Sequence, residues 1–113
     1  MRDNIKGGAL TETTFFILLS LYKPNHGYGI MQFIEKETDG RLSLGAGTLY
    51  GAINTLQKKG WIELFNDTDA RKKEYIITKE GRKIAEIELN RLKQIYQIAI
   101  NIIGGNDNEN KKI

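Results

Sequence analysis

Apolar residues recur along this chain at two different spacings, and the change from one to the other divides it. Over residues 12–22, Phe15, Phe16, Ile17, Leu18, Leu19 and Leu21 make a segment apolar over most of its girth. That pattern predicts a helix buried on more than one side, with Thr11 as its N-cap. Pro24-Asn25-His26-Gly27 then breaks the chain. A second helix is expected over 28–38, with Ile30, Met31, Phe33 and Ile34 inward and Gly40 as its C-cap. A third is expected over 45–59, where Leu49, Ala52, Ile53 and Leu56 share one side and Gly60 stops it.

From Trp61 onward the period becomes two. Ile62 and Leu64 alternate with Trp61, Glu63 and Phe65, and Tyr75 and Ile77 alternate with Glu74 and Ile76, which predicts two strands. The intervening residues 66–73 form a turn-rich, charged loop. A long final helix is expected from Thr78 to about Ile103. Along it Ala85, Leu89, Leu92, Tyr96, Ala99 and Ile103 follow a coiled-coil seam, beside a second stripe of Ile84, Ile87, Ile95, Ile98 and Ile102. A small core cannot cover both stripes, so one is expected to bury against a second copy of the chain.

Three helices, a hairpin and a long last helix predict a mainly α fold with a small β-hairpin: a winged helix-turn-helix plus a long C-terminal dimerisation helix. The expected division is the winged helix-turn-helix domain over 1–78 with a loose N-terminal arm, the dimerisation helix over 79–105, and a disordered tail over 106–113.

Composition narrows the chemistry. The 113 residues are 40% apolar with one proline, which suits one domain with a modest core. There is no cysteine and one histidine, His26. Disulfides and thiol chemistry are excluded, and neither a metal site nor a cofactor is expected. Catalysis has no support either. Glu86 and Glu88 fall on different sides of one helix, and no nucleophile elbow or phosphate-cradling glycine loop is present. The polar start Met1-Arg2-Asp3-Asn4 carries no signal peptide, and no apolar run is long enough to cross a bilayer. A cytoplasmic protein without a membrane partner is expected.

The formal charge is only +3, so its placement matters more than its size. On the third helix, Gly47, Gly51, Asn54 and Lys58 oppose the apolar stripe, flanked by Thr48, Tyr50 and Thr55. This face is small, hydrogen-bonding and cationic, with no acidic residue. Two helical glycines cost about 1 kcal/mol each relative to alanine, and close approach of another surface would offset that cost. Double-stranded DNA is the leading candidate. Asn54 can pair with adenine, while Thr48, Tyr50 and Lys58 suit phosphates. Tyr28, at the start of the second helix, is a further candidate phosphate contact. Arg71, Lys72 and Lys73 sit where a wing tip would meet DNA. Against Tyr28 stands the plainer reading of a packing tyrosine with its hydroxyl at the surface, and against the others that of a solvated surface.

Several stretches resemble the PadR-like transcriptional regulators, in particular small members with a single C-terminal helix. They are Leu10-Thr11-Glu12 with the apolar first helix, Leu21 to Ile30 with its Pro-Asn-His-Gly-Tyr core, Gly47-Thr48-Leu49-Tyr50-Gly51-Ala52-Ile53, Lys59-Gly60-Trp61-Ile62, and Tyr75 to Gly81. Together they span roughly residues 10 to 90. The resemblance implies a homodimeric repressor on a palindromic operator, released by a small hydrophobic effector. In some small members a tryptophan on the last helix sandwiches flat aromatic drugs. Here the sole tryptophan is Trp61, at the start of the wing, and Tyr96 is the sole aromatic on the last helix. The expected dimer contacts are Phe15, Leu89, Leu92, Tyr96, Ala99 and Ile103, and a candidate effector pocket would use Phe16, Ile95 and Tyr96. The rival readings are a winged-helix protein-interaction module and a multidrug-type ligand binder without sequence-specific DNA binding.

Overall fold

The computed structural model describes residues 8–67 and 72–104. The elements run α1 (Glu12–Ser20), β1 (Asn25–His26), α2 (Gly27–Glu37), α3 (Ala46–Lys59), β2 (Ile62–Asn66), β3 (Glu74–Ile77) and α4 (Lys79–Ile103). The three strands form one antiparallel sheet in the order β1-β3-β2. The elements divide into two compact units, one over Leu10–Ala85 and one that holds α4 from Glu86 onward.

The first unit is built on a core of Ile17 and Leu18 from α1 with Leu21 just after it, Ile30 and Ile34 from α2, Leu49, Ile53 and Leu56 from α3, and Ile62, Tyr75 and Ile77 from the sheet. The apolar girth of α1 is used as its composition demands, with Phe16 packed on the core from the side. Thr11 caps this helix by accepting the Thr14 N–H at 3.1 Å. Glu12, in its first turn, meets Arg41 in a two-pronged ion pair, one arm at 3.1 Å. Hydrogen bonding from that guanidinium holds the Glu12 carboxyl below the usual carboxylate range. Both groups are exposed, so the pair orients the chain between α2 and α3 more than it stabilises it.

Three details differ from the expected pattern. The wing is a three-stranded sheet, because Asn25 and His26 pair with Tyr75 and Glu74. Two residues are too short a segment to register as a period. Next, α2 starts one residue early. His26 is its N-cap, its Nδ1 accepting the Gly29 N–H at 3.1 Å. Its C-cap is Thr38, whose hydroxyl donates to Ile34 O at 2.8 Å, and Gly40 (φ +80°) reverses the chain after it. Last, the β2–β3 register shifts between Leu64 and Asn66, a bulge that breaks the expected alternation at Phe65.

In the second unit, α4 continues as an uninterrupted helix with most of its apolar side chains uncovered. Eight of the twelve large exposed hydrophobic residues among those described lie on it, ending in Ile102 (75% exposed) and Ile103 (85%). Ala85 is buried and Ile84 packs on the core of the first unit, whereas Ile87, Leu89, Leu92, Ile95, Tyr96, Ile98, Ile102 and Ile103 of the two stripes are exposed in the single chain. Glu88 is buried and held by Arg91, Nε to Oε1 at 2.9 Å.

Candidate nucleic-acid interface

The third helix is positioned from both ends. Its inner side is fixed by Leu49, Ile53 and Leu56 in the core, and Ala52 packs beside them. At its C-terminus Gly60 adopts the left-handed conformation (φ +78°) that a side chain would strain, and its N–H donates to Gln57 O. Lys58 and Lys59 in the last turn complement the negative end of the helix dipole. Lys59 lies over the Trp61 ring at 4.9 Å, so this lysine is partly engaged within the chain.

The outer side is open. A Cβ added at Gly47 or Gly51 would meet nothing within 4 Å, so packing inside the chain does not require a glycine at either position. Thr48, Asn54 and Lys58 are exposed beside them, and Tyr50 is 45% exposed. Thr55 bends back to donate to Gly51 O at 3.2 Å, which removes one hydroxyl from the free surface. At the N-terminus, Gly45 supplies no side-chain cap and no acidic residue stands in the first turn. The result is an unobstructed ridge of backbone, amide and ammonium groups.

Tyr28, 63% exposed, projects from the first turn of α2. The Gly29 N–H in that turn is already taken by His26, so fewer backbone donors are free there than the sequence suggests. Lys72 and Lys73 are exposed where the chain enters β3, and Arg71 lies outside the described residues. The N-terminal arm up to residue 7 and the tail over 106–113 also lie outside them.

Tyr50 is not a plain surface residue. Its phenol lies against Gly27, where a Cβ would come within 2.1 Å of Oη and 2.7 Å of Cζ. Tyr75 is buried in the middle strand, and burial first, then the charge of the Tyr50 phenol, push its pKa up. Neither Gly27 nor Tyr75 stood out in the sequence as part of the surface. The available signal was a glycine at a helix start with no left-handed turn to justify it.

On α4, Leu89, Leu92 and Tyr96 are exposed together with Ile103, and Ala99 is half-buried. A shallow apolar concavity of about 440 Å³ is lined by Tyr96, Ala99, Ile100, Ile103 and Gly104. Of the expected effector-pocket residues it includes Tyr96 but not Phe16 or Ile95. In the first unit, Phe15 is half-buried.

A helix pair carrying an open outer ridge, followed by a small antiparallel wing, defines a winged helix-turn-helix of the DNA-binding kind. The model of the transcriptional regulator PadR-like family matches residues 17–87, and the chain belongs to that family. It is a DNA-binding transcriptional regulator and not an enzyme. Solved structures agree. A PadR family transcription regulator from hypervirulent Clostridium difficile R20291 is 25% identical, with a TM-score of 0.68 over 84% of this chain and 100% of that one. A transcriptional regulator from Clostridium thermocellum is 26% identical, with a TM-score of 0.66 over 77% of this chain and 84% of that one. A PadR-like transcriptional regulator from Bacillus cereus strain ATCC 14579 shares the fold at 18% identity, with a TM-score of 0.67 over 83% and 92% of the two chains. Comparison with curated proteins finds no match. Among the described residues, no helix is long and apolar enough to cross a membrane.

Proposed function

We propose that the protein is a homodimeric repressor that grips a palindromic operator through the outer ridge of α3 and releases it when a small hydrophobic effector binds. The observation that carries the DNA surface is the pair of glycines in α3 whose added Cβ atoms would meet open space. A helix keeps such residues at a cost in stability when something outside the chain must approach its backbone. In this reading Gly47 and Gly51 admit the duplex, Asn54 reads a base, Thr48 and Lys58 hold phosphates, and Tyr28 with Lys72 and Lys73 flank them.

Pairing is supported by the bare apolar residues of α4, a surface of the size and character that soluble monomers seldom leave open. Leu89, Leu92, Tyr96, Ala99 and Ile103 form the proposed seam, with Phe15 contributing from α1. A twofold pair would set two recognition helices about one turn of DNA apart, which calls for a palindrome. The concavity around Tyr96 is apolar, and it is where an effector would change the geometry of the pair.

An electrophoretic shift with the DNA upstream of the protein's own gene, at two salt concentrations, tests this reading. Affinity should fall steeply with salt, and Lys58→Ala should weaken the shift while leaving the protein folded. A shift insensitive to salt, or a Lys58→Ala variant that binds like the parent, would overturn the assignment of this face.

A further inference from the structure

We propose that Tyr50 is a positioning residue of the DNA-binding surface, its phenol wedged at the start of α2 so as to fix how α3 is presented. This rests on α3 being the recognition helix and goes beyond it, because it separates a residue that aims the helix from those that touch DNA. Gly27 is buried and its φ is not positive, so conformational freedom does not account for the glycine there. Space does: the Tyr50 hydroxyl occupies the position a methyl group would take. On the sheet side, Tyr75 is the cross-strand neighbour of Asn25 on β1 and of Leu64 on β2, and the Tyr50 phenol lies within its electrostatic reach. One partly exposed ring on α3 therefore bears on the start of α2. A methyl group on Gly27 would displace that ring first, and whatever part of the displacement passes to α3 matters because a binding surface must be held to within about 0.5 Å.

A phosphate contact and a positioning residue leave different signatures. Losing a phosphate contact weakens binding to every sequence alike, and only where the contact is a cation such as Lys58 does it also lower the salt slope by about one. Losing the wedge reduces the preference for the right sequence more than it reduces binding in general.

The full-length protein would select a duplex from a random pool. Its affinity for that duplex and for a scrambled one of equal length would then be measured by fluorescence anisotropy. Gly27→Ala and Tyr50→Leu should each cut the preference for the selected duplex about tenfold, and the double variant should cut it no further. The salt slope should hold, while Lys58→Ala should lower both affinities together and multiply with either change. Single losses that multiply in the double variant, or a Tyr50→Leu loss shared equally by both duplexes, would overturn the proposal. Should Gly27→Ala fail to fold, Tyr50→Phe decides. Its ring still fills the space, so it should lose clearly less preference than Tyr50→Leu, and equal losses would refute the wedge. If Lys58→Ala is also silent, it is the α3 reading itself that fails.

Discussion

The Thr78 hydroxyl donates to the Gly60 carbonyl at 2.7 Å while accepting the Gly81 N–H at 3.0 Å. One side chain thus caps the first turn of α4 and ties down the end of α3. The Trp61 carbonyl accepts the Thr78 N–H at 2.9 Å and stands 2.1 Å from where a Cβ on Gly81 would be. The Thr-Lys-Glu-Gly run is therefore a joint: threonine makes both bonds, and glycine leaves room for the backbone beneath it.

Thr78→Val should cost about 1–2 kcal/mol of stability, since it removes a cap and leaves a carbonyl short of a donor. Thr78→Ser should recover most of it. Urea denaturation followed by circular dichroism measures both, and equal losses for the two variants would contradict the role of the hydroxyl.

Gly51→Ala should raise stability by about 0.5–1 kcal/mol, because alanine favours the helix and its methyl group would enter open space. The same change should weaken DNA binding if the duplex reaches the backbone at that point. Denaturation and anisotropy on one preparation test the trade. A variant both more stable and equally tight on DNA would show that the glycine serves no interface.

Alkaline pH should probe Tyr75. Its pKa is raised, by burial first, so the folded chain holds that proton more tightly than the unfolded chain does. The contribution is fully present below the unfolded pKa of about 10 and is lost as pH rises through the folded value. Tyr75→Phe should flatten the fall in stability above that pH, read as denaturation midpoints between neutral and strongly alkaline buffer. An unchanged slope would contradict it.

Leu89→Glu should weaken self-association, because it places a charge on the bare α4 surface proposed as the seam. Sedimentation equilibrium would show a smaller species than the parent at the same concentration. Binding to a palindromic duplex should fall with it. A parent that sediments as a single protomer would remove the basis for the paired reading.

Much of this was legible in the sequence because the elements carry strong periods. The inner faces of α2 and α3, the start of α4 and the β3 alternation of Tyr75 and Ile77 all follow from spacing and end signals. What escaped was short or depended on proximity. The strand Asn25–His26 is too brief to show a period, and His26 read as a turn residue because a ring nitrogen is an uncommon cap. The Phe65 bulge depends on pairing with β3. Gly27 read as a breaker, when its reason is a phenol from a helix that begins nineteen positions later. At the site, the open ridge of α3 was visible as a pattern. That Tyr50 leans on Gly27 could be seen only once α2 and α3 were placed.

The claim that paired α3 ridges enter successive major grooves is tested most directly by methylation protection of guanine N7, an atom exposed only in the major groove. On a duplex selected by the protein, the account predicts two protected patches centred about 10–10.5 base pairs apart. A single patch, or no protection of guanine N7 on a duplex that the protein binds, would contradict it.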